Sequence, residues 1–184
     1  MDFISAITPE ISFIFDDSLP FRERMQRVYQ HQYDHQPVYR RFYDALEPQL
    51  TETSTPPLLP VEAFREADMV SDAITLNPET PFFQSSGTTG MKHSRHWLMD
   101  ETLYQKAIFE GLRQFYPLDE FVILAYTPGY NENPHSSLIY MLQQLISADA
   151  TGLSRFLALN EPISPMALDA IKAEGKRVLL FGAA

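Results

Sequence analysis

The chain has 184 residues, a length that suits one domain or part of a larger one. It contains no cysteine, which excludes disulfides, thiolate metal sites and a cysteine nucleophile within these residues. Its 14 basic and 24 acidic residues give a net charge of −10, which argues against binding to a nucleic acid backbone. The sequence has no apolar run of about 18 residues and no basic, apolar leader, so we expect a cytoplasmic protein without a membrane span.

The first part of the chain, residues 1–76, predicts a helical region. Apolar residues recur at helical spacing from Phe21, and Pro37 should break that helix before a second one that runs to Leu46. The segment Thr51–Pro60 contains three prolines and predicts an extended connector.

The second part, residues 77–184, alternates short apolar strands with helices. This order predicts an α/β domain, a mixed sheet with flanking helices, behind the N-terminal helical region. Asp100, Ser136 or Ser137, and Ser164 are suitable helix caps. Continuous apolar runs at 121–126 and 177–182 predict buried strands.

A loop rich in hydroxyls and glycines follows the strand at Phe82 and Phe83. It consists of Ser85, Ser86, Gly87, Thr88, Thr89 and Gly90, and it is followed by the basic cluster Lys92, His93, Arg95 and His96. Glycines let backbone N–H groups turn toward a ligand, and the hydroxyls add donors that suit phosphate oxygens. Neither the Walker pattern nor the dinucleotide fingerprint is present.

This loop resembles the first core motif of the adenylate-forming superfamily, which includes acyl-CoA synthetases, luciferases and peptide-synthetase adenylation domains. The resemblance implies that residues 85–90 and Lys92 bind the phosphates of ATP, with Mg²⁺ as the accompanying ion. It also implies that residues 77–184 are the first part of that superfamily's N-terminal domain. The loop departs from the common pattern after Gly90, where no proline occurs and the lysine is displaced to position 92.

The departure is similar to the acyl-protein synthetases of bacterial bioluminescence, the LuxE-like branch. The segments Leu59–Arg65, Ser136–Met141 and Leu179–Ala184 resemble that branch as well. The function so implied is activation of a carboxylic acid, fatty in this branch, as acyl-AMP for transfer to an acceptor protein or reductase. A phenylacetate-type acyl-CoA ligase is the alternative enzyme, and a nucleotide-binding or scaffold module is the alternative without catalysis.

Further positions follow from the same resemblance. Tyr130 and His135 would line the acyl and carboxylate pocket, where His135 is also a candidate catalytic residue, and Gly182, Ala183 and Ala184 would border the adenine. The alternative, that His135 is an exposed loop histidine without a functional role, has equal weight. His93 and His96 have no third ligand nearby in the sequence, so we expect no metal site in the protein itself.

The resemblance also bears on the activity of the chain alone. In the superfamily, a ribose-binding carboxylate and a late lysine lie on segments that follow the adenine strand. We therefore expect these 184 residues to be the N-terminal part of a longer enzyme and to be inactive alone. We also expect self-association through an exposed sheet edge.

Overall fold

A computed structural model gives the fold of the chain and describes residues 12–47, 55–85, 93–127 and 133–182. The chain divides into two compact units, Met1–Leu103 and Tyr104–Ala184. The domain boundary that the sequence predicts between residues 76 and 77 stays a prediction.

Two helices, α1 (Phe21–His35) and α2 (Pro37–Leu46), pack together after a short 3-10 helix at Ser12–Phe15. The predicted break at Pro37 is confirmed. Gln36 joins the helices, and its Oε1 accepts hydrogen bonds from the backbone N–H groups of Val38 and Tyr39, at 2.6 and 3.0 Å. Pro37 occupies the first position of α2, where its missing N–H removes no helical hydrogen bond. The second helix therefore begins directly after Gln36.

Four tyrosines line the contact between α1 and α2. The rings of Tyr29 and Tyr39 stack with centroids 6.4 Å apart, and those of Tyr33 and Tyr43 meet edge to face at 5.3 Å. The Tyr39 hydroxyl donates to the carbonyl of Pro57 at 3.1 Å. Burial, together with the neighbouring Tyr29 and Tyr43, raises the pKa of Tyr39 to about 12. This hydroxyl holds the connector, whose described residues 55–60 have no regular structure as predicted.

The first unit continues with a one-turn helix, α3 (Ala63–Glu66), and an antiparallel hairpin of β1 (Phe82–Gln84) and β2 (Arg95–Trp97). Helix α4 (Glu101–Arg113) then begins at a cap formed by Asp100, whose Oδ1 accepts from the N–H of Leu103 at 2.8 Å. The predicted cap is confirmed. The pattern from Glu101 to Tyr116 predicts a longer helix, but α4 ends at Arg113, because Pro117 lacks the N–H for a helical hydrogen bond and its ring would clash with the carbonyl four residues earlier.

The second unit contains a parallel three-stranded sheet. Its strands are β3 (Phe121–Tyr126), β4 (Arg155–Phe156) and β5 (Arg177–Gly182), arranged in the order β4-β3-β5. Helix α5 (Ser137–Ser147) connects β3 to β4, and α6 (Pro165–Ala173) connects β4 to β5. The strand that comes first in the sequence therefore lies at the centre.

The core of this unit follows from the alternation of β3. Val122 and Leu124 are fully buried and pack with Leu157 and Ile171 on one face. Ile123 and Ala125 are buried on the opposite face, because successive side chains of a strand point to opposite sides. Helix α5 packs on β3 with four buried residues, Ile139, Tyr140, Leu142 and Leu145.

Strand β5 lies at an edge of the described sheet, as expected for the last apolar strand, but it departs from the expected burial. The sequence predicts a buried strand, but Val178 and Leu180 are 37% and 57% exposed. The reason is its position, since β5 pairs only with β3 among the described strands and lies at the edge of the sheet. A continuous apolar run does not reveal which strand of a sheet is the edge.

The described residues form a mixed helix and sheet protein, compatible with the predicted α/β class. No helix in those same ranges has the length and apolar character needed to cross a membrane.

Candidate functional site

Three residues close the base of the hydroxyl-rich loop, and we call Ser85, His93 and Ser94 the loop neck. The N–H of Ser85 donates to the carbonyl of Ser94 at 3.1 Å, and the N–H of Ser94 donates to the Ser85 hydroxyl at 3.0 Å. The His93 Nδ1 lies 2.8 Å from the carbonyl oxygen of Ser85. These bonds extend the pairing of Gln84 with Arg95 and fix where the loop leaves and returns.

Ser85 is the one predicted phosphate ligand within the described ranges. Its hydroxyl oxygen accepts from Ser94, so its proton stays available for donation to a ligand. The other predicted phosphate ligands, Ser86, Gly87, Thr88, Thr89, Gly90 and Lys92, lie outside the described residues.

The segment before the hairpin packs against β2. The Phe64 ring stacks on His96 with centroids 4.4 Å apart and an interplanar angle of 18°. The Trp97 Nε1 donates to Asp68 Oδ1 at 2.7 Å. Phe64, which lies in the segment Leu59–Arg65, therefore supports β2, a role that the sequence alone did not reveal.

The two histidines near the loop, His93 and His96, both make contacts within the hairpin. Burial lowers the pKa of His96, whose Nε2 lies 3.2 Å from the Ser94 hydroxyl. His93 contacts Ser85 in the loop neck. Across the described ranges, no group of three or more acidic or histidine side chains is placed to hold a metal ion.

The second unit presents polar groups where β3 ends. Thr127 directly follows β3 and is 5% exposed, and its hydroxyl oxygen has no hydrogen-bond partner among the described residues. Strand alternation places it on the same face as Ile123 and Ala125. Sequence reasoning missed Thr127, because one threonine after an apolar strand carries no pattern.

Helix α5 begins close to this strand end in the sequence. Ser136 is its cap, and the Ser136 hydroxyl accepts from the N–H of Ile139 at 3.3 Å, which settles the choice between Ser136 and Ser137. His135, the candidate carboxylate-pocket residue, is exposed just before this cap. Tyr130, its predicted companion, lies outside the described residues.

Two tyrosines meet at the start of α5, Tyr140 from α5 itself and Tyr104 from α4. The Tyr140 hydroxyl accepts from Gln105 Nε2 at 3.0 Å, and the Tyr104 and Tyr140 rings meet at 5.7 Å. Burial raises the pKa of Tyr104, and a hydrogen bond with Ser137 opposes that rise. These contacts fix the start of the helix.

The predicted adenine segment begins at the end of β5. Gly182 is the register partner of Tyr126, so the ends of β5 and β3 lie side by side. A side-chain carbon at position 182 would lie more than 4 Å from every other described atom outside its chain neighbours. Ala183 and Ala184 lie outside the described residues.

Comparison with protein-family models, with curated proteins and with solved structures finds no match to this chain.

Proposed function

We propose that this chain supplies the phosphate-binding loop of an ATP-dependent acid ligase and the first part of its N-terminal domain. The observation that carries the proposal is the loop neck. It pins both ends of a segment that holds three further hydroxyls, two glycines and a lysine between β1 and β2. Such a closed, polar loop can aim several N–H and O–H donors at one anion.

The proposed reaction is the formation of an acyl-adenylate. A carboxylate oxygen attacks the α-phosphorus of ATP, the bond to the bridging oxygen breaks, and pyrophosphate leaves with that electron pair. Donors of residues 85–90 and Lys92 would hold the departing pyrophosphate, and Mg²⁺ bound with ATP would neutralise part of its charge. A nucleophile then takes the acyl group and releases AMP.

The acid and the acceptor rest on the narrower resemblance. We propose a fatty acid and an acceptor protein, as in the LuxE-like branch. The helix that begins at Ser137, behind its Ser136 cap, lies in one of the segments that carry this resemblance. The alternative is a phenylacetate-type acyl-CoA ligase, which shares the first half-reaction. Gly182–Ala184 would border the adenine, and Tyr130 and His135 the acid.

The test is acid-dependent exchange of pyrophosphate into ATP by the complete gene product. Replacing Thr88 and Thr89 with valine removes two donors, and loss of one preorganised donor lowers the rate about 10²-fold or more. Thr75→Val is the matched control, because Thr75 is exposed and lies away from the loop in the sequence. Exchange that is absent, or unchanged in the loop variants, would remove the proposal.

A panel of acids in the same assay separates the two ligases. Preference for medium or long fatty acids supports the LuxE-like assignment, whereas preference for phenylacetate moves the assignment to the alternative. We expect the 184-residue chain alone to show no exchange, and turnover by it would place a complete site within these residues.

A further inference from the structure

A cleft of about 610 Å³ opens beside the loop neck. Residues 64–68 form one wall, and Gln84, His93 and Arg95 form the other. Because Gln84 and His93 flank the hydroxyl-rich loop, the cleft lies at the base of that loop. Two arginines, Arg65 and Arg95, are among its lining residues, in a chain whose net charge is −10.

Among the described residues, the N–H donors of these two guanidinium groups have no partner. Arg95 lies over the rings of Phe82 and Trp97, with 5.0 and 6.0 Å to the centroids, and these contacts orient it without using a donor. Within the part of the chain that the structure describes, neither the Arg65 side chain nor the Arg95 side chain makes an ion pair or a hydrogen bond. Planar guanidinium donors match phosphate oxygens in pairs.

Two carboxylates also line the cleft, and they narrow the choice of ligand. Asp68 accepts the hydrogen bond from Trp97, and Glu66 stands beside Arg65 in the sequence. These carboxylates would repel an anion that binds alone. In a polyphosphate bound with Mg²⁺, the phosphate oxygens can meet the arginines and the Mg²⁺ can meet the carboxylates. Mg²⁺ is commonly bound through one or two carboxylates together with phosphate oxygens.

We propose that this cleft binds the pyrophosphate portion of a magnesium-complexed nucleotide, with Arg65 and Arg95 as its direct phosphate ligands. The inference rests on the proposed function and adds to it a binding wall outside the hydroxyl-rich loop. Arg95 is held in place by two aromatic rings, and Arg65 reaches the cleft from the segment that also carries Phe64.

The experiment is calorimetric titration of the 184-residue chain with magnesium pyrophosphate. We expect binding by the wild-type chain and affinity at least about tenfold weaker in Arg65→Gln and in Arg95→Gln, since each loses charge-assisted hydrogen bonds. Arg41→Gln is the matched control, because Arg41 is exposed on α2 and does not line the cleft. Its affinity should equal that of the wild type.

Arg95→Gln also removes ring contacts, so Arg65→Gln, which does not, is the cleaner variant, and circular dichroism checks that both fold. Wild-type affinity in both glutamine variants, or no binding by the wild type, would overturn the inference. If both glutamine variants lose binding but the complete gene product shows no exchange, the cleft proposal stands and the ligase proposal fails. If the complete gene product exchanges pyrophosphate but both glutamine variants bind magnesium pyrophosphate as tightly as the wild type, the ligase proposal stands and the cleft proposal fails.

Discussion

At the scale of single residues, the most informative side chain is Thr127. Its hydroxyl is buried and lacks a hydrogen-bond partner among the described residues, a state that costs about 1–3 kcal/mol. Valine has nearly the same shape and no polar atom. We therefore expect this hydroxyl to lower the stability of the strand end, and a substitution that removes it to raise that stability.

We expect Thr127→Val to raise the free energy of unfolding by about 1 kcal/mol, because the unsatisfied hydroxyl is removed without a change in volume. Chemical denaturation measures the difference. Thr151→Val is the matched control, since the Thr151 hydroxyl donates to Asp149 at 2.7 Å and accepts from the N–H of Leu153 at 3.2 Å. That variant should lose stability, and a loss in Thr127→Val as well would show that its hydroxyl is satisfied in solution.

At the scale of elements, the hairpin of β1 and β2 depends on the ring stack between Phe64 and His96. Burial lowers the pKa of His96 below its ordinary value of 6.5, so the folded state holds the imidazole neutral. The unfolded chain then binds more protons between the two pKa values. The stability that this neutral ring contributes is fully present above pH 6.5 and is lost as the pH falls through the folded pKa.

We expect the melting temperature of the first unit to fall more steeply below pH 6.5 in the wild type than in His96→Gln. Thermal scans between pH 8 and pH 5 measure the two slopes, and an NMR titration of the His96 ring gives its midpoint directly. Parallel slopes, or a midpoint at or above 6.5, would contradict the burial of a neutral ring.

The elements also show which parts of the fold the sequence can predict. The caps at Asp100, Ser136 and Ser164 depend on side chains within three residues of the helix start, so local sequence contains the signal. Strand order depends on partners far along the chain, and no local pattern encodes it, so the apolar run of β5 predicts burial where the structure has exposed side chains. The candidate site divides in the same way, because the loop has a motif whereas the cleft of Arg65 and Arg95 arises only on folding.

At the scale of the whole molecule, the edge strand β5 offers a surface for a second copy. Its residues 178–182 contain no charge and no proline, and Val178 and Leu180 are exposed. Its terminal charge, Arg177, pairs with Glu120 at 2.6 Å within the same chain. In an antiparallel pair centred between Leu179 and Leu180, each Arg177 would face Gly182 of the other copy, which avoids the repulsion of a parallel pair.

We expect the chain to self-associate through this edge, and Leu180→Lys to shift it toward monomer, because charged residues on an edge strand oppose edge pairing. Light scattering over a concentration series measures the mass. Leu159→Lys is the matched control, since Leu159 is 73% exposed and lies outside β5. Equal mass in the wild type and both variants would exclude this edge as the contact.

The order β4-β3-β5 has a consequence during synthesis on the ribosome. Strand β3 emerges first, yet one of its two neighbours, β5, begins only after residues 127–176 have been added. At typical translation rates that interval is roughly 3 to 10 seconds. During it, the nascent chain carries Val122 and Leu124, the largest fully buried side chains of the described sheet, without the strand that pairs with them on that side. Chaperones that bind apolar segments of growing polypeptides can therefore reach β3 throughout this interval, although β3 is the most buried of the described strands in the folded protein.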